Sequence, residues 1–109
     1  MSIVASYIYN KGKRTGTFNA GSDEVPDSDD GFVWIGLHDP AEAELVALQK
    51  TFKLHDLAIE DALGGRQVPK VDVYDDQLFI IAKTAHLEGD SIEYGETAIF
   101  VGPHHVITV

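Results

Sequence analysis

From Ile3 to Tyr9 apolar residues alternate with small and polar ones, the period of a half-buried strand. Lys11-Gly12-Lys13-Arg14 reads as a turn, and a second strand is expected around Thr15 to Asn19. Residues 22–30, SDEVPDSDD, set Asp23, Glu24, Asp27, Asp29 and Asp30 around Val25-Pro26 and predict a solvated loop. The pattern then changes. Phe32 to Leu37 is apolar on both faces, as expected of a strand covered on both sides. Asp39-Pro40 predicts a helix start, with Asp39 as N-cap and Pro40 in the first helical position. Beyond it Ala41, Leu45, Leu48 and Phe52 recur at helical spacing, while Glu42, Glu44, Gln49 and Lys50 fall elsewhere. A shorter helix is predicted from about Asp56 to Leu63, with Gly64-Gly65 as its stop.

After Pro69 the period becomes two. Val71 and Val73 alternate with Asp72 and Tyr74, and Asp75-Asp76 makes a turn. Leu78 to Ala85 is a longer strand whose LFIIA run suits the middle of a sheet. Glu88-Gly89-Asp90 turns again, and Ser91–Tyr94, Thr97–Val101 and Val106–Val109 are further strands. Strands before and after a helical pair predict an α/β or α+β class. At 109 residues the chain fits one domain, and its pattern runs into a strand at Val109 as in a domain cut from a longer chain.

Composition narrows the function. Eighteen acids against eight bases give a formal net charge of −10, a field that repels nucleic acid and attracts cations and basic partners. With no cysteine there is neither a disulfide framework nor a thiolate metal site, which suits a reducing compartment. No apolar run approaches the roughly 18–20 residues that span a bilayer, and no secretory signal is evident.

Enzymatic motifs fail on inspection. Gly89-Asp90-Ser91-Ile92-Glu93 begins like a nucleophile elbow but lacks the closing glycine and lies between strands. Neither a Walker loop nor GxGxxG is present. Asp27-Ser28-Asp29-Asp30-Gly31 departs from a calcium loop at the third ligand and at the required glycine. His38, His55, His86, His104 and His105 lack the zinc-helix spacing, and adjacent His104 and His105 would point to opposite faces of a strand. The chain is therefore expected not to be an enzyme.

Glu60 and Asp61 stand out instead. About 100° apart on a helix, they flank the face of Leu57, away from the apolar Ala58, Ile59, Ala62 and Leu63, so both are expected on display. Acids near a helix C-terminus oppose its dipole by some tenths of a kcal/mol. Mg²⁺ keeps most of its waters and often takes only one or two carboxylates, so the pair is a candidate divalent-cation site.

The runs WIGLHDP, FKLHDLAIEDAL, QVPKVDVYDDQLFIIAK and ETAIFVGPHHVITV resemble, in order, the amino-terminal cytoplasmic domain of CorA magnesium transporters, over about residues 33–109. The most specific pieces are the Leu-His…Glu-Asp helix and the Pro-Lys-Val-x-x-Tyr-x-x-x-Leu-Phe-Ile hairpin. The resemblance implies a single-domain mixed sheet packed against helices, on the cytoplasmic side of the cell membrane beneath a homopentamer. A long helix, two membrane spans and a Gly-Met-Asn motif would follow. It implies that Asp61, with Glu60 beside it, is half of a regulatory Mg²⁺ sensor completed by a neighbouring subunit, weak in the isolated domain. Mg²⁺ is the expected transported ion, with Co²⁺ and Ni²⁺ as further candidates. The ZntB-like zinc transporters share the architecture, and a stand-alone acidic adaptor for a basic protein is the alternative of a different class.

Overall fold

The computed structural model describes residues 2–65 and 67–109. In chain order it contains β1 (Ile3–Asn10), β2 (Lys13–Thr17), β3 (Gly31–Leu37), α1 (Glu42–Phe52), α2 (Asp56–Gly64), β4 (Lys70–Tyr74), β5 (Gln77–Glu88), β6 (Ser91–Val101) and β7 (His105–Thr108). The strands form one sheet in the order β2-β1-β3-β7-β6-β5-β4. The β3–β7 pair is parallel and every other pair is antiparallel. This is the expected mixed α/β sheet with a helical pair.

Both helices pack on one face. Leu45, Leu48 and Phe52 of α1 and Ala58 and Ile59 of α2 bury against Val33, Ile35 and Leu37 of β3. Phe79 and Ile81 of β5, Phe100 of β6 and Ile107 of β7 complete that core. The period-two alternation sends the other residues of these strands to the opposite face. There Trp34 and Val106 are half-buried, and Val71 and Val73 are 62% and 70% exposed. The expectation that Phe32–Leu37 is covered on both sides is met on one side only. Both helices lie on the Val33–Ile35 side, so Phe32 and Trp34 are only half-buried.

Local boundaries differ for identifiable reasons. β2 starts at Lys13 because Lys11 and Gly12 alone form the turn, with φ of 52° and 78°. Two successive positive φ values match the right-handed twist of a hairpin. Asp39 is not the N-cap of α1. It takes φ of 48°, a left-handed position that Asp tolerates, and the chain enters the helix through Ala41, with φ of −71° and ψ of 154°. Ala41 is therefore an exposed cap rather than a core residue. Glu44 reaches back to accept the Ala41 N–H at 3.1 Å and the Ser2 hydroxyl at 2.7 Å. These two bonds, the Ser2 hydroxyl foremost, hold its carboxyl below the usual carboxylate range. The expected break between Ser91–Tyr94 and Thr97–Val101 is absent, because Gly95 and Glu96 stay in register with Thr84 and Lys83.

His104 and His105 part ways as expected of neighbours. His104 Nδ1 lies 3.1 Å from the Gly31 carbonyl, while His105 is 4% exposed with its ring 5.0 Å from that of Phe52. The His105 ring also rests on Gly102, where a Cβ would fall 2.3 Å from Cε1. Gly102→Ala is therefore expected to destabilise the fold by about 1–3 kcal/mol, the usual cost of overpacking. Urea denaturation checks this, and an unchanged midpoint would mean that the ring has room to move.

Candidate functional site

The acid pair is positioned from both ends of α2. At the start His55 is the N-cap, its Nδ1 accepting the Leu57 N–H at 3.1 Å. Its ring stacks on Tyr74 of β4, with centroids 4.0 Å apart and planes 16° apart. At the other end Gly65 turns the chain out of the helix with φ of 63°. Ala58 and Ile59 face the core between these points. With that face fixed, Glu60 projects into solvent and Asp61 turns toward the edge strand β4.

Asp61 is not freely displayed. The Lys70 ammonium lies 2.5 Å from its Oδ2 and 2.9 Å from Asp72 Oδ2, with the three side chains 30%, 26% and 33% exposed. Residues 70, 72 and 74 share the helix-side face of β4, and the Lys70 ammonium sits 5.9 Å from the Phe79 ring centroid. The strand thus keeps its alternation with the polarity reversed: charged residues lean inward and the valines outward. Hydrogen bonds that the Lys70 ammonium donates to Asp61 first, then to Asp72, hold its amine well above the ordinary lysine range. Burial, reinforced by the charge of Asp72, raises the Tyr74 phenol.

The site therefore carries three carboxylates, at Glu60, Asp61 and Asp72, against one ammonium. Glu60 and Asp61 lie side by side in the middle of α2, one open and the other engaged. Among the described residues no group of three or more His, Asp or Glu side chains is arranged to hold a metal. The oxygen donors suit a hard cation such as Mg²⁺. A cleft of about 630 Å³ lies at the carboxyl ends of β3 and β7, lined by Leu37, Asp39, Leu63, Glu96 and Val109 among others. None of Glu60, Asp61 or Lys70 lines it.

Lys70, Asp72 and His55 are the parts of this arrangement missing from the site as read in the sequence. A lysine two residues before an aspartate on an alternating strand places both on one face, which was the available signal. The pairing with α2 needed the tertiary structure.

Comparison with known proteins follows the same elements. The sequence model of the family described as "CorA-like Mg2+ transporter protein" matches residues 29–109. YfjQ of Bacillus subtilis (strain 168), provisionally named a metal ion transporter, is 33% identical over 86 residues, 79% of this chain and 26% of its own length. The soluble domain of CorA from Methanocaldococcus jannaschii superposes with a TM-score of 0.66 at 22% identity, over 99% of this chain and 41% of that one. Full-length CmaX gives 0.72 at 16% identity, over 98% and 34%. The chain thus spans about a quarter of the length of YfjQ. Among the described residues no helix is long and apolar enough to cross a membrane.

Proposed function

Because the chain belongs to the CorA-like Mg²⁺ transporter protein family, we propose that its 109 residues are the cytoplasmic regulatory domain of such a transporter. In this reading Glu60 and Asp61 form half of a divalent-cation sensor, completed by a neighbouring subunit of a homopentamer. The supporting observation is the pair itself: an open carboxylate beside one held by a lysine, midway along α2.

The chemistry follows from charge. When Mg²⁺ is scarce, Lys70 neutralises part of the carboxylate charge, and the remainder repels any acidic surface facing it. When Mg²⁺ is abundant, the ion joins Glu60 and Asp61 to ligands across the subunit boundary and favours the closed assembly. Such an ion shifts the equilibrium only by its differential affinity for the two states. Mg²⁺ must compete with a resident ammonium for Asp61, which sets its threshold high.

In the isolated chain the facing ligands are missing. Mg²⁺ dehydrates reluctantly and exposed charges are screened by salt, so its affinity is expected to be on the order of millimolar or weaker and to fall as salt rises. Calorimetric titration at physiological salt measures this. A saturable micromolar site, abolished by Asp61→Ala, would show a complete site within one chain and end the shared-site reading.

A further inference from the structure

Two carboxylates on two different elements share the Lys70 ammonium. Asp61 Oδ2, on α2, lies 2.5 Å from Nζ, and Asp72 Oδ2, on β4, lies 2.9 Å from it. Lys70 and Asp72 stand two residues apart on one strand, so the strand's own period puts them on the same face. That pair needs nothing from the rest of the fold. The pair with Asp61 instead crosses from strand to helix.

One carboxylate would be enough to tie α2 to β4 through Lys70. The second leaves the cluster with two acids against one base, all three side chains partly buried. Partial burial of a surplus charge is unfavourable, so packing alone does not account for Asp72. The ammonium itself is well held, since it also lies over the Phe79 ring, 5.9 Å from the centroid. β4 is the last strand of the sheet and pairs only with β5, which leaves the cluster at an open edge.

The two acids differ in their neighbours. Beside Asp61 stands Glu60, exposed and without a salt bridge among the described residues. Asp72 stands between Val71 and Val73. A divalent cation that arrives at Asp61 therefore meets a second carboxylate on α2, whereas the sequence beside Asp72 offers none.

We propose that Lys70 is a resident counter-cation that a divalent ion displaces from Asp61, and that Asp72 is the acceptor that keeps the ammonium once it is displaced. Resting on the cation-sensing reading of Asp61, this makes Lys70 and Asp72 positioning residues of the sensor. Without Asp72, freeing Asp61 would leave a partly buried ammonium with no carboxylate, which disfavours its release. With Asp72 present, the ammonium exchanges a shared carboxylate for one of its own by a small movement of a flexible stem. A monovalent ion brings no more charge than the ammonium it would replace. The exchange therefore favours divalent ions over sodium or potassium.

Side-chain NMR of the 109-residue chain follows the exchange directly, with MgCl₂ as the probe and NaCl at equal ionic strength as the reference. As Mg²⁺ is added, the Asp61 carboxyl carbon and the Lys70 ammonium signals should both move, and the ammonium should stay hydrogen-bonded. Asp61→Asn without Mg²⁺ should bring the Lys70 and Asp72 signals toward the positions that Mg²⁺ gives in the wild type. In Asp72→Asn, Mg²⁺ should release Lys70 to the signal of an exposed lysine. Lys70→Met, which keeps the length of the stem, should tighten Mg²⁺ at Asp61 by at least about tenfold. Lys70→Arg, which keeps the charge, should not tighten it. Backbone amide spectra confirm that each variant is folded. A Lys70 ammonium that Mg²⁺ releases to solvent in the wild type, or that Mg²⁺ leaves unmoved, would overturn the proposal. If it stays unmoved while Asp61→Asn still raises the Mg²⁺ needed to inhibit flux in a full-length transporter, the exchange fails and the sensor stands.

Discussion

Replacing Phe79 by alanine is expected to lower the stability of the domain by about 3–5 kcal/mol, the range for a buried aromatic truncated in a core. Phe79 is 1% exposed and sits where β5 meets both helices through the core. Its ring contacts that of Phe100 across the strand pair at 4.9 Å, tilted by 51°. The Lys70 ammonium lies over the ring, 5.9 Å from its centroid. Truncation removes apolar contact on the β6 and β4 sides and leaves a cavity that the sheet backbone cannot close. Domains of this kind hold only about 5–15 kcal/mol in total, so the variant should unfold at a much lower urea concentration. Val73→Ala, on the open face of neighbouring β4, is the internal comparison and should shift stability by about 0.5 kcal/mol or less. Equal effects at the two positions would mean that the helices do not cover the face assigned to them.

Acid should unfold the protein in part through His105. Burial is the main cause that pushes the His105 imidazole down to about 4 from 6.5, opposed by the charge of Asp76 and aided by His104. Its Nε2 is buried with no hydrogen-bond partner among the described residues, so a proton there would be a buried, unshared charge. Because the folded-state value lies below the unfolded one, the unfolded chain binds more protons between them. The stabilisation is fully present above about pH 6.5 and is lost as pH falls through about 4, a difference on the order of 3 kcal/mol. Urea titrations across that window measure it, with His105→Gln as the reference. The difference between the two chains should fall steadily as pH drops, whatever the stability of the variant at neutral pH. Parallel profiles would mean that water reaches the ring in the folded state.

The sequence was most readable where one periodic face meets one core. The α1 pattern of Leu45, Leu48 and Phe52, the Gly64-Gly65 stop and the alternation through β4 and β5 all appear in the fold. Three features were not legible, each because a distant partner overrides a local rule. Asp39-Pro40 has the chemistry of a helix start, but the β3–α1 connection needs a left-handed residue at 39, and Glu44 caps Ala41 instead. Val71 and Val73 look like inward residues, yet Lys70, Asp72 and Tyr74 take the inner face because Asp61 and His55 await them on α2. Asp61 itself looked as open as Glu60, since nothing in a single helix shows that a lysine nine residues later returns to it. The candidate site was thus legible in its acids and hidden in its counter-ion.

The sensing of internal Mg²⁺ by Asp61 on behalf of a transporter is the proposal on which the function rests. Its most direct test is ion flux as a function of internal Mg²⁺, in a full-length transporter carrying these 109 residues, with and without Asp61→Asn. The substitution keeps the size of the side chain and removes the ligand's charge. Inhibition by Mg²⁺ should then require a concentration higher by about tenfold, the equivalent of roughly 1.4 kcal/mol of lost differential binding, with maximal flux unchanged. An inhibition curve that overlays the wild type, at equal expression, would remove Asp61 from the sensor.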